Sequence, residues 1–171
     1  MATHHDKMKE ELKSPQSTAN AASQPTWDRS LFAATTFNLG PQTATIPHRD
    51  NGNLAFGLCA VYVCGGHQAE NGGLLVFHDL KKAFRTRAGD LFIFPSALLT
   101  HSNTLVAAGA KRRSIVFWTA AEAVRFVDLG GRRMNQLLPE AQERQYNKEK
   151  ALWDVYIENW PRSPKAQFDS T

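Results

Sequence analysis

Short apolar segments separated by glycine and proline are the feature that most constrains the fold of this chain. We predict strands over Leu31–Leu39, Thr43–Pro47, Leu54–Cys64, Gly73–Phe77, Ala83–Arg87, Leu91–Phe94 and Ser114–Thr119, followed by Ala123–Val127. Glycine and proline turn signals bound these segments, and no helical pattern separates them. The pattern therefore favours a mainly β sandwich or jelly roll over a parallel sheet.

The chain of 171 residues suits one domain with tails. Residues 1–26 are rich in Ser, Thr, Ala, Asn and Gln, and they predict a flexible leader before a core over 27–133. The tail, 134–171, predicts a C-terminal helix from Pro139 to Trp160, because Pro139 and Glu140 suit its first turn. An apolar stripe along this helix predicts packing against the sheet, with a partner-binding helix as the alternative: Leu152, Trp153, Tyr156, Ile157 and Trp160.

Composition limits the class of protein. No apolar run approaches the roughly 20 residues that span a bilayer, and Met1–Gln24 lacks the apolar region of a secretory signal. We therefore expect an intracellular protein, cytoplasmic or nuclear, that does not bind membranes. Residues 81–133 hold ten Lys/Arg against three Asp/Glu. This excess indicates either a solvated positive face or a surface for an anion such as nucleic acid.

A His-x-Asp pair follows the predicted strand Thr43–Pro47. His48 and Asp50 lie at i and i+2, on one side of an extended backbone. His101, after the apolar strand and Pro95, supplies a third ligand-type side chain. Two histidines and one carboxylate leave coordination positions open, as in non-haem Fe(II) oxygenases, whereas zinc usually prefers a closed tetrahedron. We predict that His48, Asp50 and His101 hold iron and act as the catalytic centre.

A basic position follows the last of these residues. Arg112 comes eleven residues after His101, at the start of a predicted strand, and Ser114 shares its face. A guanidinium can hold a carboxylate through two parallel hydrogen bonds. Arg112 and Ser114 are therefore predicted to bind the distal carboxylate of 2-oxoglutarate, while Arg113 points away.

Taken in order, these motifs resemble the Fe(II)/2-oxoglutarate-dependent dioxygenases. More narrowly, the chain is similar to a fungal group related to the TET/JBP nucleic-acid-base dioxygenases. The likeness covers roughly residues 31–133 and rests on Phe37–Pro41, Pro47–Leu54, Gly72–Leu74, Pro95–Ala97 and His101–Asn103, together with Arg112-x-Ser114. It implies a double-stranded β-helix (jelly roll), with Fe(II) and 2-oxoglutarate as cofactor and co-substrate.

Asn53 matches the asparagine that follows His-Arg-Asp in the TET/JBP pattern and binds the target pyrimidine there. It also suits a simple cap of the turn Asn51–Gly52, and the sequence does not choose between these roles. The resemblance implies hydroxylation of a C–H bond, with the methyl of a 5-methylpyrimidine in nucleic acid as the expected substrate. Two alternatives stay open: a catalytically degraded jelly-roll binding module, and a cupin-like metalloenzyme without a keto acid.

Overall fold

The structure is a computed structural model that describes residues 30–158, apart from the side chains at 71 and 156–158. It contains eight strands and two α-helices, in the order β1 (Ala34–Asn38), β2 (Thr45–His48), β3 (Cys59–Gly65), β4 (Leu75–Phe77), β5 (Lys82–Phe84), β6 (Leu91–Phe94), β7 (His101–Asn103), β8 (Arg112–Trp118), α1 (Ala121–Asp128) and α2 (Pro139–Glu158). The predicted leader, 1–26, and the side chains of Tyr156, Ile157 and Trp160 lie outside the described residues.

The strands form two four-stranded antiparallel sheets. Sheet A has the order β1-β8-β3-β6, and sheet B has the order β2-β7-β4-β5. Except at β4 and β5, which pair as neighbours, each strand is followed by a strand of the other sheet. The expected mainly β class with a C-terminal helix is confirmed.

One apolar core joins the two sheets. Cys59 and Val61 of β3 and Phe94 of β6 pack with Leu75 and Phe77 of β4, and all five are buried. The rings of Phe77 and Phe94 meet edge to face, with centroids 4.8 Å apart. Burial of such side chains contributes about 1.5–3 kcal/mol each, so this contact between sheets is a major source of stability.

The predicted strand over Leu54–Cys64 is too long at its start. Residues 54–58 form a turn instead, in which Gly57 N donates to Leu54 O at 2.8 Å and Leu54 N donates to Thr119 O. The strand therefore begins at Cys59, and it is buried at most positions but exposes the Tyr62 side chain. In contrast, β6 spans Leu91–Phe94 as predicted.

The segment Ala123–Val127 is helical, so its assignment as a further strand was wrong. It lies within α1, whose buried residues Val124 and Val127 are three apart and pack on Ala33 and Leu54. Spacing of three places both side chains on one helical face. The pattern of α1 is too short to separate a helix from a strand by sequence alone.

The chain divides into two compact units, Met1–Arg133 and Met134–Thr171. The second unit contains α2, which begins at Pro139 as predicted. Within residues 30–158, neither helix combines the length and apolarity needed to cross a membrane.

Candidate metal centre and its pocket

Three ligand-type side chains meet where β2 ends and β7 begins. His48 is the last residue of β2 and pairs in register with His101, the first residue of β7, while Asp50 lies two residues after the end of β2. Their ligand atoms all lie within 4.8 Å of one another, so the three residues could hold one metal ion. Asp50 Oδ1 lies 3.5 Å from His48 Nε2, and Asp50 Oδ2 lies 4.0 Å from His101 Nε2.

Both imidazoles are oriented by nearby backbone carbonyls. His48 Nδ1 lies 2.8 Å from Ile46 O, and His101 Nδ1 lies 2.8 Å from Leu99 O. Because a carbonyl oxygen only accepts, each Nδ1 carries the hydrogen and donates it. In the neutral ring, Nε2 then has its lone pair on the side of Asp50. A hydrogen bond from the far ring nitrogen is the usual way in which a protein orients a histidine ligand.

Asp50 is also held in place by hydrogen bonds. The backbone N–H of Asp50 donates to Ser96 O at 3.0 Å, and Asn53 Nδ2 donates to Asp50 Oδ2 at 3.3 Å. The same amide nitrogen donates to the buried hydroxyl of Ser96 at 2.9 Å. Asn53 therefore contacts a candidate ligand directly, and its Oδ1 accepts no hydrogen bond from the described part of the chain.

Burial sets the protonation of two groups at this centre. Desolvation lowers the pKa of His101 below its ordinary value, although the Leu99 carbonyl and Asp50 oppose the shift. A neutral imidazole is the form that binds a metal. Burial raises the pKa of the Cys59 thiol to about 11, so this neighbouring side chain stays a neutral thiol at physiological pH.

The candidate ligands open into a pocket of 690 Å³, a volume in the range of small-molecule sites. Its lining includes the three candidate ligands, Asn53 and Ser114, together with apolar side chains such as Phe94 and Trp118. The edge of the Phe94 ring lies against His101, with centroids 5.0 Å apart. The pocket thus combines the polar candidate metal ligands with apolar walls.

Arg112 is placed close to this pocket but behind its wall. It is the first residue of β8 and only 1% exposed, whereas Arg113 is exposed. Arg112 Nη1 donates to the carbonyl and the hydroxyl of Thr43, at 3.1 and 2.9 Å, and Thr43 lines the pocket. Ser114, two residues on, also lines it and accepts a bond from Asn38 Nδ2 at 3.1 Å.

Two guanidinium nitrogens of Arg112 are left without a partner. Nε and Nη2 are buried and make no hydrogen bond among the described residues. Burial lowers the pKa of Arg112. A buried cation with unsatisfied donors is costly, and an anion that reached these nitrogens would remove that cost.

Glycine makes room for the Arg112 side chain. Gly73 has a φ of +72°, and a Cβ built there would lie 3.0 Å from Arg112 Cδ and 2.9 Å from Val106 Cγ1. His67 borders the same point and is buried, with its Nε2 3.0 Å from Thr86 O and its Nδ1 without a partner within residues 30–158. Neither His67 nor Thr43 carried a sequence signal, because each lies outside the motifs.

Comparison with solved structures shows a distant structural likeness. No protein-family profile matches the chain, and no curated protein matches it in sequence. The fold is similar to a solved structure described as NgTET1 in complex with 5mC DNA, with a TM-score of 0.47 and 21% sequence identity. The match covers 53% of this chain and 35% of that chain, so it spans about a third of that protein's length.

Proposed function

We propose that this protein is an Fe(II)- and 2-oxoglutarate-dependent dioxygenase that hydroxylates a C–H bond. The observation that carries the proposal is the convergence of His48 Nε2, His101 Nε2 and an Asp50 carboxylate oxygen within 4.8 Å. Two imidazoles and one carboxylate on one side of a metal leave room for a bidentate keto acid and dioxygen, which is typical of Fe(II) oxygenases.

The arrangement of the sheets supports a double-stranded β-helix for the core. Strands β1, β3, β6 and β8 belong to sheet A, whereas β2, β4, β5 and β7 belong to sheet B. A chain that crosses repeatedly between two facing antiparallel sheets is typical of a jelly roll. In such a fold, the inner face of both sheets can line one pocket, as the lining by Val116 of β8 and Asn103 of β7 illustrates.

Two guanidinium nitrogens without a partner among the described residues, Nε and Nη2, support Arg112 as the residue that binds the distal carboxylate of 2-oxoglutarate. Among residues 30–158, no carboxylate forms a salt bridge with Arg112. Because Nε and Nη2 are buried, a bound carboxylate reaches them only if neighbouring atoms move. Thr43, which bonds Nη1 and lines the pocket, is the side chain we expect to move. Ser114 would add a hydroxyl on the same face.

Each of these residues would then have a distinct role. His48, Asp50 and His101 hold the metal, Arg112 and Ser114 hold the far end of the keto acid, and the apolar walls limit access of water. The bound iron and keto acid would supply the oxidising chemistry that places one oxygen atom of dioxygen into a C–H bond. Asn53 fixes Asp50 through its amide nitrogen and offers Oδ1 to the substrate.

A 5-methylpyrimidine in nucleic acid is the substrate we propose. The His-Arg-Asp-x-x-Asn spacing resembles the TET/JBP pattern, and a single acceptor at Asn53 Oδ1 suits the exocyclic amine of cytosine. The basic excess over residues 81–133 would favour contact with phosphates. A base must leave the helical stack to enter such a pocket, so single-stranded substrate is expected to react better than duplex.

A binding module without turnover is the second candidate, and one observation favours it. The guanidinium of Arg112 is sealed behind the pocket wall, and a site that stays closed would bind no 2-oxoglutarate. Such a protein would still bind a metal through His48, Asp50 and His101. Turnover therefore separates the two candidates.

The test is incubation of the full chain with Fe(II), 2-oxoglutarate, ascorbate and oxygen, with and without methylated single- and double-stranded oligonucleotides. We expect succinate to form, and oxidised methylpyrimidine to be detected by nucleoside mass spectrometry. The Arg113→Ala protein is a control that should form succinate as the unsubstituted chain does, because Arg113 is exposed next to the buried Arg112. Metal binding without succinate would support the binding module, and succinate without an oxidised base would exclude this substrate class.

A further inference from the structure

Arg49 lies between two candidate ligands, and its side chain makes a separate set of contacts. Its Nε donates to the Thr100 hydroxyl at 3.0 Å, and its Nη2 lies 3.3 Å from Asp79 Oδ2. Thr100 directly precedes His101, as Arg49 directly follows His48. The contacts of Arg49 therefore connect the two segments that carry the candidate ligands.

Asp79 completes this connection. Its Oδ2 accepts the backbone N–H of Thr100 at 2.6 Å and also faces Arg49. A backbone hydrogen bond connects the same two segments, since His78 N donates to Thr100 O at 2.9 Å. Arg49, Asp79 and Thr100 thus form a closed ring of contacts, which we call the Asp79 cluster. It joins the end of β2, the residues after β4 and the residue before β7.

The backbone alone holds β2 against β7 weakly at this end. The two strands pair at Thr45↔Asn103 and His48↔His101, with a register irregularity between the two pairs. Pro47, which precedes His48, has no N–H to donate to the ladder. With only two paired positions, the separation of His48 and Asp50 from His101 depends on further contacts as well as on the sheet, and the Asp79 cluster supplies one set of them.

We propose that the Asp79 cluster positions the metal ligands: it fixes the end of β2 against the start of β7 so that His48, Asp50 and His101 are preorganised for a metal ion. This inference rests on the proposed metal site and assigns Arg49, Asp79 and Thr100 as positioning residues. The side chains of Arg49 and Asp79 are 50% and 39% exposed, and ion pairs at such exposed positions contribute little to stability. The cluster is therefore expected to act on metal affinity much more than on folding.

The experiment compares the Mn(II) affinity of the full chain with its thermal stability. Asp79→Asn and Arg49→Gln should each raise the Mn(II) dissociation constant by about 10–100-fold, the usual effect of losing a partner outside the ligands. The melting temperature should change little. Thr100→Val removes the acceptor for Arg49 at constant shape and should also weaken binding, whereas Thr100→Ser keeps the hydroxyl and should restore it.

Two substitutions serve as matched controls. Asp90→Asn removes the charge of a similar carboxylate, which accepts the backbone N–H of Arg87 at 2.7 Å in a turn that bears no candidate ligand. Arg113→Gln removes one exposed positive charge. Both should bind Mn(II) as the unsubstituted protein does.

The outcomes separate this inference from the proposed function. If the unsubstituted chain fails to bind Mn(II), the metal site itself is wrong, and the positioning role falls with it. If the chain binds Mn(II) and the Asp79, Arg49 and Thr100→Val proteins bind it equally well, the metal site stands and the positioning role is overturned. The role is also overturned if the Asp90→Asn control lowers the Mn(II) affinity and the melting temperature as much as Asp79→Asn does.

Discussion

His48 and His101 are cross-strand partners, paired in register between β2 and β7 with their ring centroids 4.4 Å apart. Residues that are 53 positions apart in sequence thereby become neighbours, and each presents Nε2 beside Asp50. This pairing makes the candidate centre a property of sheet B rather than of one loop. Substitution of either histidine should therefore remove metal binding without rebuilding the sheet.

His101→Ala is expected to abolish stoichiometric binding of Fe(II) or Mn(II), because two remaining ligands hold a metal poorly. Far-UV circular dichroism should stay close to that of the unsubstituted chain. His78→Ala is the control: this imidazole is nearby, but it bonds the Ser102 hydroxyl and is not one of the three candidate ligands. Titration calorimetry under nitrogen measures both, and equal metal affinity of the His101→Ala protein would contradict the assignment.

Arg112→Met is expected to weaken binding of 2-oxoglutarate without lowering the stability of the protein. Because two guanidinium nitrogens are buried without partners among residues 30–158, an apolar side chain of similar length should remove that cost and offset the loss of the two bonds to Thr43, so the free energy of unfolding should change little. Binding of 2-oxoglutarate should weaken by about 1.5–3 kcal/mol. Urea unfolding and calorimetry measure the two quantities.

Arg113→Met provides the comparison for that prediction. Its side chain is exposed on the same strand, so neither quantity should change by much. A loss of 2-oxoglutarate affinity as large as that of the Arg112→Met protein would contradict the role of Arg112.

Gly73→Ala is expected to reduce both stability and 2-oxoglutarate affinity. The new Cβ would meet Arg112 Cδ and Val106 Cγ1 at 3.0 and 2.9 Å, and the φ of +72° adds strain of about 1–3 kcal/mol. Gly89 also has a positive φ, but no atom lies within 4 Å of its added Cβ. Gly89→Ala should therefore lose stability alone. Unchanged 2-oxoglutarate binding by the Gly73→Ala protein would disprove the coupling between Gly73 and Arg112.

The lowered pKa of Asp79 predicts that the stability of the protein depends on pH in the acid range. Hydrogen bonds from Thr100, and secondarily the charge of Arg49, lower the pKa of Asp79 below its ordinary value of 3.8. A lowered pKa in the folded state stabilises the protein fully above 3.8, and this contribution is lost as the pH falls through the folded-state pKa. The stability difference between the unsubstituted and Asp79→Asn proteins is expected to be small because the ion pair is exposed, and it should shrink further as the pH falls below 3.8. Urea midpoints across that range measure it, and a difference independent of pH would contradict the pKa shift.

The sequence predicted segments well where local signals were complete. Leu91–Phe94 is an apolar run between the turn at Gly89–Asp90 and Pro95, and its bounds match β6. In contrast, β7 consists of His101, Ser102 and Asn103, whose polar side chains carry no strand pattern. This strand exists because β2 and β4 pair with it on both sides, which is information that no local window contains.

At the candidate site, the order of motifs predicted which residues meet but not how they are held. His48, Asp50 and His101 converge as the motif order suggested, because their strands are adjacent in sheet B. The bond from Asn53 to Asp50 and the burial of Arg112 behind Thr43 depend on tertiary contacts between distant segments. The contacts of Asp79 with Thr100, 21 residues away, are of the same kind.

The central claim is tested most directly by an anaerobic titration of the full chain with Fe(II) and then 2-oxoglutarate, followed by visible absorption. A keto acid that chelates an iron held by His48, Asp50 and His101 should give a weak charge-transfer band that saturates at one equivalent. The band should be absent from the His101→Ala protein and should require a higher 2-oxoglutarate concentration in the Arg112→Met protein. No band from the unsubstituted chain, or an equal band from the His101→Ala protein, would contradict the account.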